Sequence, residues 1–338
     1  MDFGFFRELL QFDSTSGRER EVAEWLLQRL EAPSKQAFEV GDGTLNLLLS
    51  WGTPKLVFCT HMDTVPPYIP PVFPEKIISG DTSLRIEGRG SCDAKGQLFA
   101  LYTACKALEA DGCSGFGLLL LAGEETGSWG AKAFSKTGFQ APFLIIGEPT
   151  ENKMVTASKG TKSYDLVFTG EAFHSGYPQY GVSAVDLFNQ FYNALKAQDF
   201  GQDPVLGDTT WNIGLLHSDN PQNILSPQLT CRLYFRTTFV SDQAVQDWMS
   251  GISASLPMQV TPRGGDAPSH YVAFDGFPSG PVAFGSDAPH LSGFGHKIIC
   301  GPGSIRHAHR PDEHVLVKDL ETAVGQYVRM YHVIQQYI

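Results

Sequence analysis

The sequence predicts an α/β protein in which a mostly parallel, buried sheet is interrupted by a smaller inserted α+β domain. Continuously apolar runs at Leu56–Cys59, Leu118–Ala122 and Phe143–Ile146 have the length and composition of strands buried on both faces. Segments of helical periodicity separate the later runs, the pattern that joins parallel strands by crossover helices. From about Ala157 the strands instead alternate apolar with polar positions, as in Tyr164, Leu166, Phe168 and again in Leu229, Cys231, Leu233, Phe235. That alternation belongs to a sheet with one solvated face.

Taken in order, residues 3 to 11 are expected as a short helix. Ser16-Gly17-Arg18-Glu19 fits a capping box, with Ser16 as cap and Glu19 reaching back. Val22, Ala23, Leu26, Leu27 and Leu30 then continue at helical spacing to a stop near Pro33. Residues 36 to 51 read as two strands around the turn signal Gly41-Asp42-Gly43. The run Leu56–Cys59 ends in His61-Met62-Asp63, and alternation along an extended chain puts His61 and Asp63 on one side. Residues 65 to 78, rich in proline and aromatics, are expected as a surface loop.

Leu84–Glu87 leads into the glycine-dense stretch Gly88–Gly96, and a helix to about Leu108 carries Leu98, Leu101, Cys105 and Leu108 on one face. The second buried run ends in Gly123-Glu124-Glu125. A helix near 128 to 136 precedes the third, which ends in Gly147-Glu148-Pro149-Thr150. In the alternating region, helices near 183 to 198 and 242 to 254 complete a strand-helix-strand-strand-helix-strand order, a ferredoxin-like arrangement. Residues 261 to 281 read as a return linker. Buried-strand texture resumes at Pro281–Phe284 and Lys297–Cys300, and a last helix spans about 318 to 337. The expected organisation is one discontinuous domain, 1–156 with 270–338, and an inserted domain, 157–269.

The 338 residues suffice for two domains, and a net charge of −11 from scattered rather than clustered charges argues against nucleic acid as a partner. No apolar run approaches membrane-spanning length, and the first residues do not read as a secretory signal. Six cysteines without a Cys-X-X-Cys pair are expected as buried free thiols in a reducing, cytoplasmic setting.

Ligands of open parallel sheets bind beyond the carboxyl ends of the strands. There the sequence delivers His61 and Asp63, Glu124 and Glu125, Glu148, and further on His309, with Asp93 in a glycine-flanked loop. Carboxylates converging on one sheet edge repel one another unless a cation intervenes. A His/carboxylate set suits zinc, with cobalt or manganese as alternatives, and the count is enough for two ions sharing a bridging carboxylate. Of the pair Glu124-Glu125, one can ligate while the other acts as base toward a metal-activated water. Read alone, the pair is equally a solvated helix start.

His61-Met62-Asp63, Gly88-Arg89-Gly90-Ser91-Cys92-Asp93-Ala94-Lys95-Gly96, Gly123-Glu124-Glu125-Thr126-Gly127, Gly147-Glu148-Pro149-Thr150 and Ala308-His309-Arg310-Pro311-Asp312-Glu313 occur in this order. Together they resemble the M20 metallopeptidases, the group of acetylornithine deacetylase, succinyl-diaminopimelate desuccinylase, aminoacylase and carboxypeptidase G. The resemblance covers essentially the whole chain. It implies a zinc-peptidase-like catalytic domain with an inserted lid and dimerisation domain. It implies that Asp93 bridges two divalent ions, with His61 and Glu148 at one and Glu125 and His309 at the other.

By the same resemblance Glu124 is the general base, Asp63 orients His61, and His174 stabilises an oxyanion, in dimeric members in the partner's site. Lys159, Asn223 and Arg236 fall where related deacylases hold the substrate carboxylate and carbonyl, and Gly301 to Ser304 resembles a substrate-facing loop. His307 is expected outside the ligand set and Cys92 as a packed thiol. The implied activity is hydrolysis of an N-acyl amino acid, acetylornithine deacetylase-like, with a carboxypeptidase or dipeptidase as the near alternative. The non-enzymatic alternative is a homologue kept as a binding module.

Overall fold

The computed structural model describes residues 1–41 and 43–338, so Asp42 of the expected Gly41-Asp42-Gly43 turn lies outside the described residues. The principal strands are β1 (Ser34–Gly41), β2 (Thr44–Trp51), β3 (Leu56–His61), β4 (Phe116–Leu121), β5 (Ala141–Ile146), β6 (Gly160–Thr169), β7 (Thr210–His217), β8 (Gln228–Thr237), β9 (Met258–Gly264) and β10 (Phe294–Ile299). The helices are α1 (Phe3–Leu9), α2 (Arg20–Arg29), α3 (Lys95–Ala110), α4 (Trp129–Ser135), α5 (Ala184–Ala197), α6 (Ser241–Ser255) and α7 (Val317–Ile334).

The chain divides into two compact units, one of Met1–Thr156, Tyr271–Gly280 and Ser286–Ile338, the other of Ala157–His270 and Pro281–Gly285. In the first unit six strands order as β1-β2-β4-β3-β5-β10. β4, β3, β5 and β10 are parallel, while β1 and β2 extend the sheet antiparallel. β3 and β4 are buried at every position, which is why they read as unbroken apolar runs. α3 and α7 pack together beside this core. There Tyr327 meets Phe58 edge-on at 6.0 Å and its hydroxyl donates to the Cys300 carbonyl at 2.8 Å.

In the second unit β7-β8-β6-β9 form an antiparallel sheet with α5 and α6 packed on it. The strict in–out alternation along β8 buries Leu229, Cys231, Leu233 and Phe235 against Phe191 and Val245. All six cysteines are free. Among the described residues no helix is long and apolar enough to cross a membrane.

Two local expectations are corrected. Pro281–Phe284 does not join the large sheet. Ser279–Val282 is instead an edge strand of a short separate sheet, with no residue fully buried. Pro281 has no N–H for a central ladder, which suits an edge position; Pro281–Gly285 belongs to the second unit. The capping box does not form either: α2 starts at Arg20 without a side-chain cap. The Ser16 hydroxyl donates to Asp63 Oδ2 at 2.7 Å, and Glu19 turns inward.

Candidate metal centre

Parallel alignment of β3, β4 and β5 brings three strand ends to one edge of the sheet. His61 is the last residue of β3 and lies opposite Leu121 in β4, while Cys59 lies opposite Ile146 in β5. Two residues beyond that pairing comes Glu148, and three beyond Leu121 comes Glu124. Asp93 reaches the same place from the loop before α3, and His309 from the loop after β10, with φ 61°. That left-handed backbone is uncommon for a residue with a side chain and costs of order 1–3 kcal/mol where the surroundings impose it.

The resulting contacts are short. His61 Nδ1 donates to the Asp63 carbonyl at 3.0 Å with the Asp63 carboxylate at 3.3 Å, and its Nε2 lies 3.1 Å from Asp93 Oδ1. His309 Nε2 lies 2.9 Å from Glu125 Oε1 and 3.3 Å from Asp93 Oδ2. Three sets offer converging ligand atoms within 4.8 Å of one another: His61-Asp93-Glu148, Asp93-Glu125-His309 and His61-Glu124-Glu125. Asp93 is shared by the first two. Cys92 is in none of them; it is buried, its thiol donates to the Ser304 carbonyl at 3.4 Å, and burial holds its pKa well up. His307 is also outside, its ring 4.1 Å from that of His314.

The electrostatics are those of crowded acids. Burial pushes Glu124 and Glu148 well above the usual carboxylate range, and neighbouring carboxylates, Asp93 among them, add to the rise. Burial opposes the charged form of His61, but hydrogen bonds to Asp63 and Asp93 outweigh it and raise its pKa well above the ordinary value. Hydrogen bonds to Asp93 and Glu125 raise His309 to about 10. Protons on the histidines thus offset negative charge that divalent cations would offset more fully, and the donor set of imidazole and carboxylate fits such ions.

A sequence model of peptidase family M20/M25/M40 matches residues 57–332. The chain belongs to this family. It is 31% identical to a probable carboxypeptidase of Aspergillus terreus, over 96% of this chain and 84% of that protein. It is 32% identical to a peptidase M20 domain-containing protein of Schizosaccharomyces pombe, over 96% and 82% respectively. Among solved structures, a tripeptidase of Staphylococcus aureus superposes with a TM-score of 0.78 at 20% identity, covering 96% of this chain and 95% of that one. An M20 metallo-carboxypeptidase of Sulfolobus solfataricus does so with 0.71 at 16% identity, covering 97% and 98%. As an M20 family member the chain is a metal-dependent hydrolase that uses divalent metal.

The family sites expected from sequence separate into three groups. The first unit brings together His61, Asp63, Asp93, Glu124, Glu125, Glu148 and His309, as described. In the second unit His174 and Asn223 are neighbours through the Ser175 N–H, which donates to the Asn223 carbonyl at 2.9 Å. Both residues are exposed. His174 Nδ1 accepts from the Gly176 N–H at 3.1 Å, which leaves the ring proton on Nε2. Lys159 and Arg236 repel each other, and Lys159, nearly buried, donates to the Asp208 carbonyl.

The Gly301 and Ser304 contacts are internal. Gly301 N–H donates to Thr150 Oγ1 at 2.9 Å and its carbonyl accepts from Asn152, while the Ser304 hydroxyl donates to Glu151. A side chain at 301 would meet Gln97 Oε1 at 2.1 Å, so this glycine is required by packing.

The sequence reading missed Asp287 near the centre and gave Glu19 only a helix-capping role. Fully buried Glu19 accepts from the Gly123 N–H at 3.0 Å, continuing a row in which Asp63 accepts from Glu124 and Glu125 at 3.0 and 3.1 Å. Together they hold the backbone of the Glu124-Glu125 pair. Asp287 is buried with one oxygen lacking a hydrogen-bond partner, and burial raises it to about 7. Its one sequence signal is an acid, beside Ser286, in an otherwise apolar stretch.

Proposed function

We propose that this M20 enzyme binds two divalent ions and hydrolyses the amide bond preceding a residue with a free α-carboxylate, in short peptides first. The observation that carries the reading is Asp93: each of its carboxylate oxygens faces a different histidine, His61 at 3.1 Å and His309 at 3.3 Å. A shared carboxylate of this kind suits two ions about 3.5–4 Å apart. In this reading His61 and Glu148 complete one site, Glu125 and His309 the other, and the absence of thiolate favours zinc over softer-ligand metals, with cobalt and manganese as substitutes. Such ions supply Lewis-acid polarisation of the scissile carbonyl and acidify a water.

The chain's own groups do the rest. Glu124 takes the proton of the attacking water and passes it to the leaving amine. Asp63 orients His61, and His174, its proton on Nε2, is a donor for developing oxyanion charge. Lys159 and Arg236 are assigned the substrate carboxylate, to which a guanidinium fork is suited, with Asn223 a further polar contact.

Peptides are favoured over the N-acyl amino acids that the sequence first suggested by the carboxypeptidase descriptions of relatives such as that of Aspergillus terreus. Both substrates present the same carboxylate and amide. The test is a panel of dipeptides, longer peptides and N-acetyl amino acids, each with free and amidated C-termini. Turnover is expected only with a free carboxylate. Arg236→Met is expected to raise KM by about 10-fold or more, for the loss of a charge-assisted hydrogen bond of roughly 1.5–3 kcal/mol. Equal turnover of amidated substrates would sink the reading.

The second unit also presents an edge strand, β7, with Leu215 70% and Leu216 55% exposed, together with exposed Tyr177, Tyr180 and Val185. An apolar edge of this extent favours a homodimer through this unit. Sedimentation of wild type and Leu216→Asp is expected to give a dimer and a monomer. A wild-type monomer at micromolar concentration would refute it.

A further inference from the structure

Glu313 is an acid that the chemistry above does not use. It is 1% exposed and four residues beyond His309. Its Oε1 accepts from three backbone N–H groups of one loop, Gly90 at 2.9 Å, Cys92 at 3.1 Å and Asp93 at 3.1 Å. Its Oε2 accepts from the Arg89 guanidinium at 2.5 Å, and its own carbonyl accepts from Gly88 N–H at 3.0 Å. Every group of Glu313 that can accept is therefore engaged by residues 88–93. Arg89, 2% exposed, also donates to the carbonyls of Pro67 and Arg310, so its charge is matched within the same cluster.

The loop can close on this carboxylate only through unusual backbone. Gly90 has φ 83°, and a Cβ there would lie 2.9 Å from Thr64 and 3.1 Å from Lys95. Three amides converging on one carboxylate oxygen form a concave anion site, the kind that holds phosphates in other loops, occupied here by a side chain of the chain itself. Charge-assisted hydrogen bonds of this type are roughly twice as strong as neutral ones.

We propose that Glu313 is a positioning residue: it fixes the Asp93 loop before any metal binds and ties that loop to the segment carrying His309, so that both histidine-facing oxygens of Asp93 are preset. The proposal rests on the assignment of Asp93 and His309 as ligands. Among the described residues the Glu313 carboxylate hydrogen-bonds the backbone of that loop and Arg89, not the side chain of an assigned ligand. Preset ligands lower the ordering cost of metal binding, and outer partners of this kind are commonly worth 10–100-fold in metal affinity.

Hydrogen exchange on the metal-free wild-type protein is the first test. The amides of Gly90, Cys92 and Asp93 are expected to be protected to the level of interior α3 amides; free exchange overturns the proposal. The second test compares Glu313→Gln with Glu313→Met, each combined with Arg89→Met so that no buried cation is left unpaired. Glutamine keeps one oxygen for the three N–H groups and methionine keeps none. By chelator competition the methionine variant is expected to bind zinc at least 10-fold more weakly than the glutamine variant, and equal affinities overturn the proposal. If the methionine variant fails to fold, the exchange result decides. Asp93→Asn in the wild-type background is the control. Unchanged zinc affinity there refutes the ligand assignment, while the exchange data still report whether Glu313 holds the loop.

Discussion

Replacing Glu124 by glutamine is expected to lower kcat by about 10²–10⁴-fold, the usual worth of a positioned general acid–base group, with metal content unchanged. The substitution is nearly isosteric, and the backbone it sits on is held independently of the side chain. Gly123, Glu124 and Glu125 donate their N–H groups to Glu19 and Asp63. Geometry should therefore survive while basicity is lost. The prediction also separates two readings of the site, because Glu124 belongs to one of the three converging ligand sets, with His61 and Glu125. If Glu124 were a ligand, the variant would lose metal along with rate.

A pH profile sharpens the point. Burial, with Asp287, Glu125 and Asp93 nearby, pushes the Glu124 carboxyl well above the usual carboxylate range in the absence of metal, which favours its protonated form. Bound cations would reverse that balance and free it to act as a base near neutrality. The acid limb of the wild-type kcat profile is thus expected to vanish in the variant. A kcat within about threefold of wild type in the metal-loaded variant, well short of the 10²-fold floor, refutes the base assignment.

The sheet and the edge that carries the candidate site were legible because burial on both faces leaves strands with no polar position to mask their ends. Where Leu56–Cys59, Leu118–Leu121 and Phe143–Ile146 stop, the next polar residues stand at the carboxyl edge, and parallel pairing lines them up. The alternating texture after Ala157 likewise followed from a sheet covered on one face. Pro281–Phe284 was misread because apolarity alone cannot distinguish a central strand from an edge; the missing proline N–H suits the edge.

The supporting acids were illegible for a different reason. Glu19 bonds an amide 104 residues away and Glu313 amides more than 200 residues away. No local period encodes such pairings. Ser16-Gly17-Arg18-Glu19 satisfied a helix-capping pattern that the chain did not use, because Asp63 and Gly123 offered those side chains better-buried partners.

Asp93→Ala is expected to weaken metal binding at both sites together, by more than the 10–100-fold typical of outer-shell partners, and to abolish turnover. His309→Ala should weaken one site only. The contrast follows from position: Asp93 is shared by two ligand sets, His309 belongs to one. Proton linkage gives an independent check. In the metal-free protein Asp93 and Glu125 hold His309 protonated up to about pH 10, above its unfolded value of about 6.5. That charge pairing stabilises the metal-free fold fully below pH 6.5 and is lost as pH rises toward 10. A metal held through His309 would have to displace the same proton, so its loading would become more favourable over that window. The difference in melting temperature between metal-loaded and metal-free protein should therefore widen from pH 6.5 to 10. Calorimetric titration with zinc near pH 8, in buffers of different ionisation enthalpy, should release fewer protons from Asp93→Ala than from wild type. Equal proton release, or loss of only one ion from Asp93→Ala, would mean that the carboxylate does not join the two sites.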